Sequence, residues 1–336
     1  MALVVQKYGG TSVASVDRIR KVADRILLTK EKHQHMVVVL SAMGNTTDTL
    51  KKMAAQLDEE PTGREWDMLA STGEQVSIAL LAMALRQKGC DAISLTGWQA
   101  GIRTESTHSD ARIEHIDPMP IRKHLDEGKV VVVAGYQGIT KQGEITTLGR
   151  GGSDTSAVAL AGALQADLCE ILTDVDGVYT ADPGLVPAAQ MLPWISSEQM
   201  LLLAKRGAGV LHPRCVEEAM RNHVRLVVRS SFSTEDGTHV GGQRASQLPF
   251  RPYGIAHQQE EGVTRISVVG EKPLDMREMK KLQKLSFPIS WKICEDGSLF
   301  SFVPSASVKT VLRVVHTTLG LDAEAFHPVR ARAVSR

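Results

Sequence analysis

The sequence predicts an α/β protein with a mostly parallel open sheet sandwiched by helices, followed by a small ferredoxin-like module. Two observations support this fold class. Short runs of Val, Ile and Leu without polar alternation recur between helical patterns, which is typical of strands buried on both faces of a parallel sheet. Near residue 242 the rhythm changes to the order βαββαβ. A length of 336 residues fits one large and one small domain.

The first part of the chain contains the predicted strands and helices of the large domain. Helix 15–30 places Ile19, Val22, Ala23 and Ile26 on one face, and helix 66–86 has similar apolar spacing. Because each helix lies between strand patterns, both are expected to cover a mostly parallel sheet. The strands are predicted at residues 3–6, 36–40, 93–96, 129–134, 168–173 and 224–229.

The second part begins after a polar, proline-containing linker at residues 243–252, which shows no periodicity. We therefore predict two domains, 1–243 and 253–336. The small domain is predicted to follow the order strand 264–270, helix 276–285, strand 289–295, strand 298–303, helix 308–319 and an extended piece at 326–334.

Composition narrows the classes of function and the compartment. With 39 Lys and Arg against 38 Asp and Glu, the net charge is +1, which argues against a nucleic-acid-binding protein and favours a small soluble ligand. The four cysteines have no C-x-x-C spacing, so neither a zinc site nor a disulfide framework is expected, and a reducing compartment fits. No apolar run reaches about 18 residues, and the first apolar stretch is too short for a signal peptide. We expect a cytosolic protein with no membrane partner.

Glycine-rich or polar turns carry the first functional signal. They lie at residues 7–12, 41–44, 149–154 and 173–177, each predicted to follow a buried strand. In open α/β sheets, ligands bind at the carboxyl ends of the strands, and glycines allow backbone N–H groups to approach phosphate. The common nucleotide motifs, G-x-x-x-x-G-K-[ST], G-x-G-x-x-G after a strand and the protein-kinase set, are absent from the sequence. The turns therefore predict a phosphate site of another kind.

Five motifs in order carry a family resemblance. They are KYGGTSV at 7–13, VLSAMG at 39–44, TLGRGGSDT at 147–155, TDVDGVYTADP at 173–183 and VLHPR at 210–214. Through them the chain resembles the aspartokinases of the amino-acid kinase family. The resemblance implies the amino-acid kinase fold and transfer of the γ-phosphoryl group of ATP to the side-chain carboxylate of L-aspartate. The product would be 4-phospho-L-aspartate, on the diaminopimelate route to lysine, threonine and methionine, with Mg²⁺ carried by ATP.

The resemblance also assigns roles to particular residues. Lys7 would neutralise charge on the transferring oxygens and Asp154 would orient that lysine, so these two are the expected catalytic residues. Glu74 would accept from the α-ammonium group of aspartate, and Arg150 would bind a carboxylate. The residues expected on the nucleotide side are Lys7, Gly9, Gly10, Ser41, Thr173, Asp174, Tyr179 and Asp182. The residues expected on the aspartate side are Thr47, Glu74, Arg150, Gly151, Gly152 and Ser153.

Each of these residues also has a purely structural explanation when taken alone. Lys7 could be a solvated turn lysine, and Asp154 could cap the helix that follows it. Glu74 completes a capping box with Ser71. Tyr179 would more often be a core residue than a platform for adenine.

The chain departs from the aspartokinase pattern at two glycines. Gly184 stands where the family usually has Arg after Asp-Pro, and Gly209 stands where it usually has Lys. Lys205 or Arg206 could replace the missing cation. The alternative is therefore a catalytically weakened paralogue that acts as a ligand-binding or regulatory subunit.

Two further expectations follow from the resemblance. Another small carboxylate or a carbamate as acceptor is disfavoured because Glu74 and Arg150 are both present. The C-terminal domain has room for a single ACT-like module with a regulatory or dimerising role, so a homodimer or higher homo-oligomer is expected.

Overall fold

The computed structural model describes residues 2–241, 254–270, 276–285 and 289–322. Its internal contacts divide the chain into two compact units. The first unit comprises Met1–Asp176 and Leu211–Glu235, and the second comprises Gly177–Val210 and Asp236–Arg336. Residues 177–210 therefore group with the C-terminal part, although the sequence pattern assigns them to the large domain. The predicted linker at 243–252 lies outside the described residues, and the predicted domain limits of 243 and 253 stay a prediction.

The elements of the described residues are as follows. The strands are β1 (Leu3–Tyr8), β2 (His35–Leu40), β3 (Ala92–Leu95), β4 (Ile102–Thr104), β5 (Ile113–Ile116), β6 (Val130–Ala134), β7 (Gln137–Ile139), β8 (Ile145–Thr147), β9 (Leu168–Thr173), β10 (Trp194–Ile195), β11 (Leu226–Ser230), β12 (Thr238–Val240), β13 (Gly254–Gln259), β14 (Val263–Val269), β15 (Lys292–Ile293) and β16 (Leu299–Pro304). The α-helices are α1 (Val16–Lys30), α2 (Thr46–Ala54), α3 (Gly63–Ala70), α4 (Thr72–Gln87), α5 (Met119–Asp126), α6 (Gly152–Leu164), α7 (Ser197–Lys205), α8 (Pro213–Arg221), α9 (Met276–Gln283) and α10 (Val308–Thr318).

A parallel sheet forms the centre of the first unit, as the apolar runs predict. Its neighbouring strands follow the order β11-β9-β1-β2-β6-β3. β1 pairs in parallel with β2 on one side and β9 on the other, and its six residues are all buried. The six predicted strands of this part are confirmed, with ends that differ by at most two residues. One difference matters: β1 continues to Tyr8, so Lys7 lies in the strand and not in the turn.

Helices α1 and α4 pack against each other and bury their apolar faces in the core of this sheet. The Ser15 side chain caps α1 by accepting from the N–H of Arg18, and Ile19, Val22, Ala23 and Ile26 are buried as predicted. The predicted helix 66–86 is instead two helices, α3 and α4, which meet at Ser71.

These two helices together pass a simple test for a membrane span. Gly63–Gln87 is long and apolar enough to cross a membrane by length and composition alone, with a mean hydropathy of 1.4 in its most apolar window. Half of that window is buried inside the protein, and the core helix of a soluble protein passes the same test.

The first unit also contains a smaller sheet, which the sequence patterns did not predict. Its order is β5-β4-β7-β8, with β7 and β8 forming an antiparallel hairpin. The glycine-rich turn at 149–154 follows β8 of this sheet and leads into α6. The prediction that this turn follows a buried strand of the parallel sheet is therefore wrong.

The second unit contains an antiparallel sheet of order β13-β14-β16-β15. With α9 and α10 it reproduces most of the predicted βαββαβ order. β13 occupies the edge beside β14, which is where the last strand of a ferredoxin-like sheet would lie. The predicted last piece at 326–334 lies outside the described residues.

Residues 179–190 fold with this C-terminal sheet and its helices. Ala181, Val186 and Ala189 belong to the same apolar cluster as Leu312 and Val315 of α10. The hydroxyl of Thr180 lies 2.9 Å from Nε2 of His316, and Nε of Arg313 donates to the carbonyl of Leu185 at 2.9 Å. These contacts explain why this part of the motif at 173–183 belongs to the second unit.

Candidate active site

A cavity of about 560 Å³ opens in the first unit at the carboxyl ends of β1 and β2. It brings together ten of the predicted site residues from segments that are far apart in sequence. These are Lys7, Gly10, Ser41, Thr47, Glu74, Arg150, Gly151, Gly152, Ser153 and Asp154. The remaining lining residues are Ala42, Gly44, Lys51, Trp66, Ser109, Tyr136 and Gly149. Three of the four predicted turns therefore contribute to one cavity.

An ion pair between Lys7 and Asp154 lies at the inner wall of the cavity. Nζ of Lys7 is 2.6 Å from Oδ1 of Asp154, and both side chains are largely buried. Oδ1 accepts no hydrogen bond of ordinary geometry, so the contact is mainly electrostatic. Asp154 lies in the first turn of α6, where the helix dipole also favours a negative charge. The explanations of Lys7 as a solvated turn residue and of Asp154 as a simple helix cap are both wrong.

Glu74 brings a second buried titratable group to the cavity. It lies in the first turn of α4 and is 3% exposed. Oε1 accepts from the backbone N–H of Ala42 at 3.0 Å, whereas Oε2 is buried and has no hydrogen-bond partner among the described residues. Burial raises the pKa of Glu74 to about 8, against the lowering effect of backbone hydrogen bonds.

The capping-box explanation of Glu74 fails on this geometry. Ser71 has helical backbone angles and its side chain caps no N–H of α4; its hydroxyl donates instead to the carbonyl of Met68 at 3.1 Å. Because Glu74 accepts from Ala42, in the turn after β2, its carboxylate faces another segment and not its own helix end.

The glycine-rich turn forms the opposite wall of the cavity. Gly149 and Gly151 have positive φ angles of 71° and 69°, a backbone region that other residues rarely adopt. A Cβ on Gly151 would lie 2.2 Å from Cβ of His212, so the turn also packs too closely for any side chain there. Arg150 between them is exposed at the cavity and makes no ion pair or hydrogen bond within the described part of the chain.

Other predicted residues lie outside the lining of this cavity. In the first unit, the N–H of Gly9 donates to Leu172 at 3.1 Å, and the Thr173 hydroxyl donates to Asp174 at 3.1 Å. In the second unit, Oδ1 of Asp182 accepts from the N–H of Gly184 at 2.8 Å, and the ring of Tyr179 packs against the apolar cluster that includes α10. Their roles toward a nucleotide stay predictions.

Several lining residues were missed by the sequence analysis. Trp66 and Tyr136 supply aromatic surface, and Ser109 and Lys51 supply polar groups. Tyr136 has a positive φ of 70°, and burial raises the pKa of its hydroxyl. Nothing in the local sequence marks these residues, because the structure collects them from separate helices and loops.

Of the two cations, Lys205 and Arg206, that could replace a lysine at position 209, Arg206 is already engaged. Nη2 of Arg206 lies 2.5 Å from Oδ2 of Asp296 within the second unit, so Arg206 is committed to a carboxylate there. No described atom lies within 4 Å of a Cβ built on Gly209, which leaves that position open to a larger side chain.

Comparison with known proteins identifies the family. The model of the amino acid kinase family matches residues 2–230. The chain is 56% identical to an aspartokinase of Geobacillus stearothermophilus and 53% identical to aspartokinase 2 of Bacillus subtilis, each over 270 residues that cover 80% of this chain. The chain spans 66% of the length of each of these relatives.

Solved structures agree with this fold. A structure of E. coli aspartokinase III in complex with aspartate and ADP matches with a TM-score of 0.81 at 22% identity, covering 95% of this chain and all of the other. The aspartate kinase of Synechocystis matches with a TM-score of 0.66 at 35% identity, covering 95% of this chain and 69% of the other. On the fold, the cavity and these matches, the chain belongs to the amino acid kinase family and, within it, to the aspartokinases.

Proposed function

We propose that this chain transfers the γ-phosphoryl group of ATP to the side-chain carboxylate of L-aspartate. The observation that carries the proposal is Glu74, whose buried Oε2 has no hydrogen-bond partner among the described residues and which lines the same cavity as Arg150. A buried carboxylate whose oxygen has no hydrogen-bond partner is stabilised by a cation. An arginine at the opposite wall is stabilised by an anion. A small zwitterion with a second carboxylate satisfies both groups and leaves one carboxylate to react. The relatives named aspartokinases support the same acceptor.

The cavity residues suit phosphoryl transfer without covalent catalysis. An oxygen of the aspartate side-chain carboxylate forms the new bond to the γ-phosphorus, while the bond from that phosphorus to the bridging oxygen of ADP breaks. The attacking carboxylate is already ionised at neutral pH, so no general base is required. Lys7 supplies positive charge to the transferring oxygens, and Asp154 holds its ammonium in place. The first turn of α6 adds backbone N–H groups and the positive end of its dipole.

Mg²⁺ is proposed to enter with ATP. No group of three or more His, Cys, Asp or Glu residues in the described chain is arranged to hold a metal ion. Asp154, the acidic residue nearest the expected phosphate, is paired with Lys7. The proposed ion is held largely by the phosphates and water.

The nucleotide side, the compartment and the assembly are proposed on the family resemblance. We propose that Gly9, Ser41, Thr173, Asp174, Tyr179 and Asp182 contribute to ATP binding. The four cysteines are free thiols, three of them buried, which supports a reducing compartment such as the cytosol. A homodimer or higher homo-oligomer is the proposed assembly.

A hydroxamate assay with purified protein, ATP and Mg²⁺ tests the acceptor. L-Aspartate should give an acyl phosphate, whereas succinate, which lacks the ammonium group, and L-glutamate, which is one methylene longer, should give little. Glu74→Gln should reduce the preference for L-aspartate over succinate. If no acceptor gives product while calorimetry detects ATP binding, the alternative of a weakened, ligand-binding paralogue replaces the proposal.

A further inference from the structure

A buried carboxylate lies directly behind the cavity wall. Asp67, in α3, is completely buried and does not line the cavity. Its Oδ1 accepts from the hydroxyl of Thr147 at 2.5 Å, and its carboxylate accepts from the N–H of Ser109 at 2.9 and 3.1 Å. Nδ1 of His108 lies 2.8 Å from Oδ2. One side chain therefore joins the last residue of β8, just before the glycine-rich turn, to the segment 108–110.

Arg214 connects the same two segments one residue further along each of them, at Leu148 and Asp110. Nη1 of Arg214, in α8, donates to the carbonyl of Leu148 at 2.7 Å and to Oδ1 of Asp110 at 2.6 Å. Its Nη2 donates to the carbonyl of Asp110 at 3.2 Å. Arg214 is the last residue of the motif at 210–214, for which the reaction itself supplies no role. Its side chain is 24% exposed, and the hydrogen bond to the carbonyl of Leu148 is partly buried, whereas Asp110 lies at the surface.

The two connections hold the same pair of segments at adjacent positions. The N–H of Ala111 also donates to the carbonyl of Thr147 at 2.9 Å, which completes the attachment through the backbone. The turn that follows has little room to shift, since a Cβ on Gly149 would lie 2.3 Å from Oδ1 of Asp110. Ser109 has a positive φ of 66°, a strained conformation that its hydrogen bonds to Asp67 help to maintain.

We propose that Asp67 and Arg214 are positioning residues for the amino-acid side of the site. They clamp residues 147–148 to residues 109–110, and thereby fix the cavity wall that presents Arg150 to the acceptor. The inference rests on the proposed function for its substrate, aspartate. The clamp does not contact Lys7 or the nucleotide segment 173–174, so its loss should affect aspartate more than ATP.

Kinetics of Arg214→Gln and Asp67→Asn test the clamp, with Arg221→Gln as the matched control. Arg221 lies two turns further along α8 and pairs only with Glu218 on the surface. Each clamp variant should raise KM for aspartate or lower kcat/KM by about 10- to 100-fold, because a misplaced binding group costs that much. KM for ATP should stay within about twofold of wild type. Arg214→Lys should recover only part of the loss, since an ammonium cannot reproduce the planar fork.

Amide hydrogen exchange gives a second measurement that needs no turnover. Faster exchange at residues 147–153 in Arg214→Gln, with no change in Arg221→Gln, is expected. If Asp67→Asn does not fold, Arg214→Gln and Arg214→Lys carry the test alone. A double variant should lose less than the sum of the two single losses, because both residues hold the same segments.

The outcomes separate the clamp from the proposed function. An active wild-type enzyme whose clamp variants keep KM for aspartate and exchange rates unchanged overturns the clamp and leaves the function intact. A wild-type protein that neither binds nor phosphorylates aspartate overturns the function, and the inference with it. An equal rise in KM for both substrates assigns these residues to general stability and also overturns the clamp.

Discussion

Replacing Glu74 by Gln should stabilise the protein at high pH while it weakens aspartate binding. Burial holds the pKa of this carboxyl at about 8 in the folded protein, against an ordinary value of 4.5. The folded state therefore binds the proton more tightly than the unfolded state does. Its contribution to stability is complete below about pH 4.5 and is lost as the pH rises through 8. Gln carries no charge at any pH, so the variant does not lose this stability as the pH rises.

The structure sets the size of the effect. The difference between 8 and 4.5, at about 1.4 kcal/mol for each pH unit, gives an upper bound of about 5 kcal/mol on the pH-dependent destabilisation of wild type. Substrate binding should change in the opposite direction, because an amide cannot pair with the α-ammonium. Loss of a buried, charge-assisted hydrogen bond costs about 1.5 to 3 kcal/mol, so KM for aspartate should rise about 10- to 100-fold.

Urea unfolding at pH 5, 7 and 9 measures the first effect, and coupled ADP release at saturating ATP measures the second. The free energy of unfolding of Glu74→Gln relative to wild type should increase by several kcal/mol between pH 5 and 9. Glu65→Gln is the matched control, since Glu65 is an exposed carboxylate in the neighbouring helix α3. A variant that is destabilised equally at all three pH values, with KM for aspartate unchanged, would refute the reasoning and make Glu74 a purely structural residue.

Three further substitutions test the rest of the site. Lys7→Ala should lower kcat by about 10²- to 10³-fold, and retention of more than a tenth of wild-type kcat in the folded variant would contradict its role. Gly151→Ala should lower the free energy of unfolding by about 1 to 3 kcal/mol and raise KM for aspartate, because of its positive φ and the contact with His212. In the control Gly143→Ala, where φ is also positive but no described atom lies within 4 Å, stability should fall without a change in KM. Gly209→Lys should raise kcat at saturating substrates with no change in Tm, and an unchanged kcat would show that the missing lysine does not limit the reaction.

The parallel sheet was predictable because its strands are buried on both faces. Unbroken apolar runs such as residues 130–134 are typical of strands that are buried on both faces. The small sheet was missed because β4, β7 and β8 are three residues long, too short for any periodicity. Val16 and Val76 share the apolar periodicity of the two predicted helices, yet each is about half exposed, since an amphipathic pattern does not fix the edge of the buried stripe.

The residues of the candidate site could be predicted where they lie in continuous sequence motifs. The first predicted strand ends at residue 6, which placed Lys7 in a turn, and the pairing of Lys7 with Asp154, 147 residues away in sequence, was expected only from the family resemblance. Glu74 matched a local capping pattern, whereas its actual partner is the N–H of Ala42. Asp67 carries no local signal at all, because its three partners come from β8 and the segment 108–109.

The attachment of residues 179–190 to α10 affects how this protein can be recombined with its relatives. The motif at 173–183 is continuous in sequence, yet its two halves belong to different compact units that divide after Asp176. A chimera joined at the sequence linker near 243 would keep Thr180 from one parent and take His316 from the other. Grafting residues 177–210 together with the C-terminal residues preserves that pair and the apolar cluster around it. The natural unit of exchange is therefore discontinuous, and three crossovers, after residues 176, 210 and 235, are needed where the linear sequence suggests one.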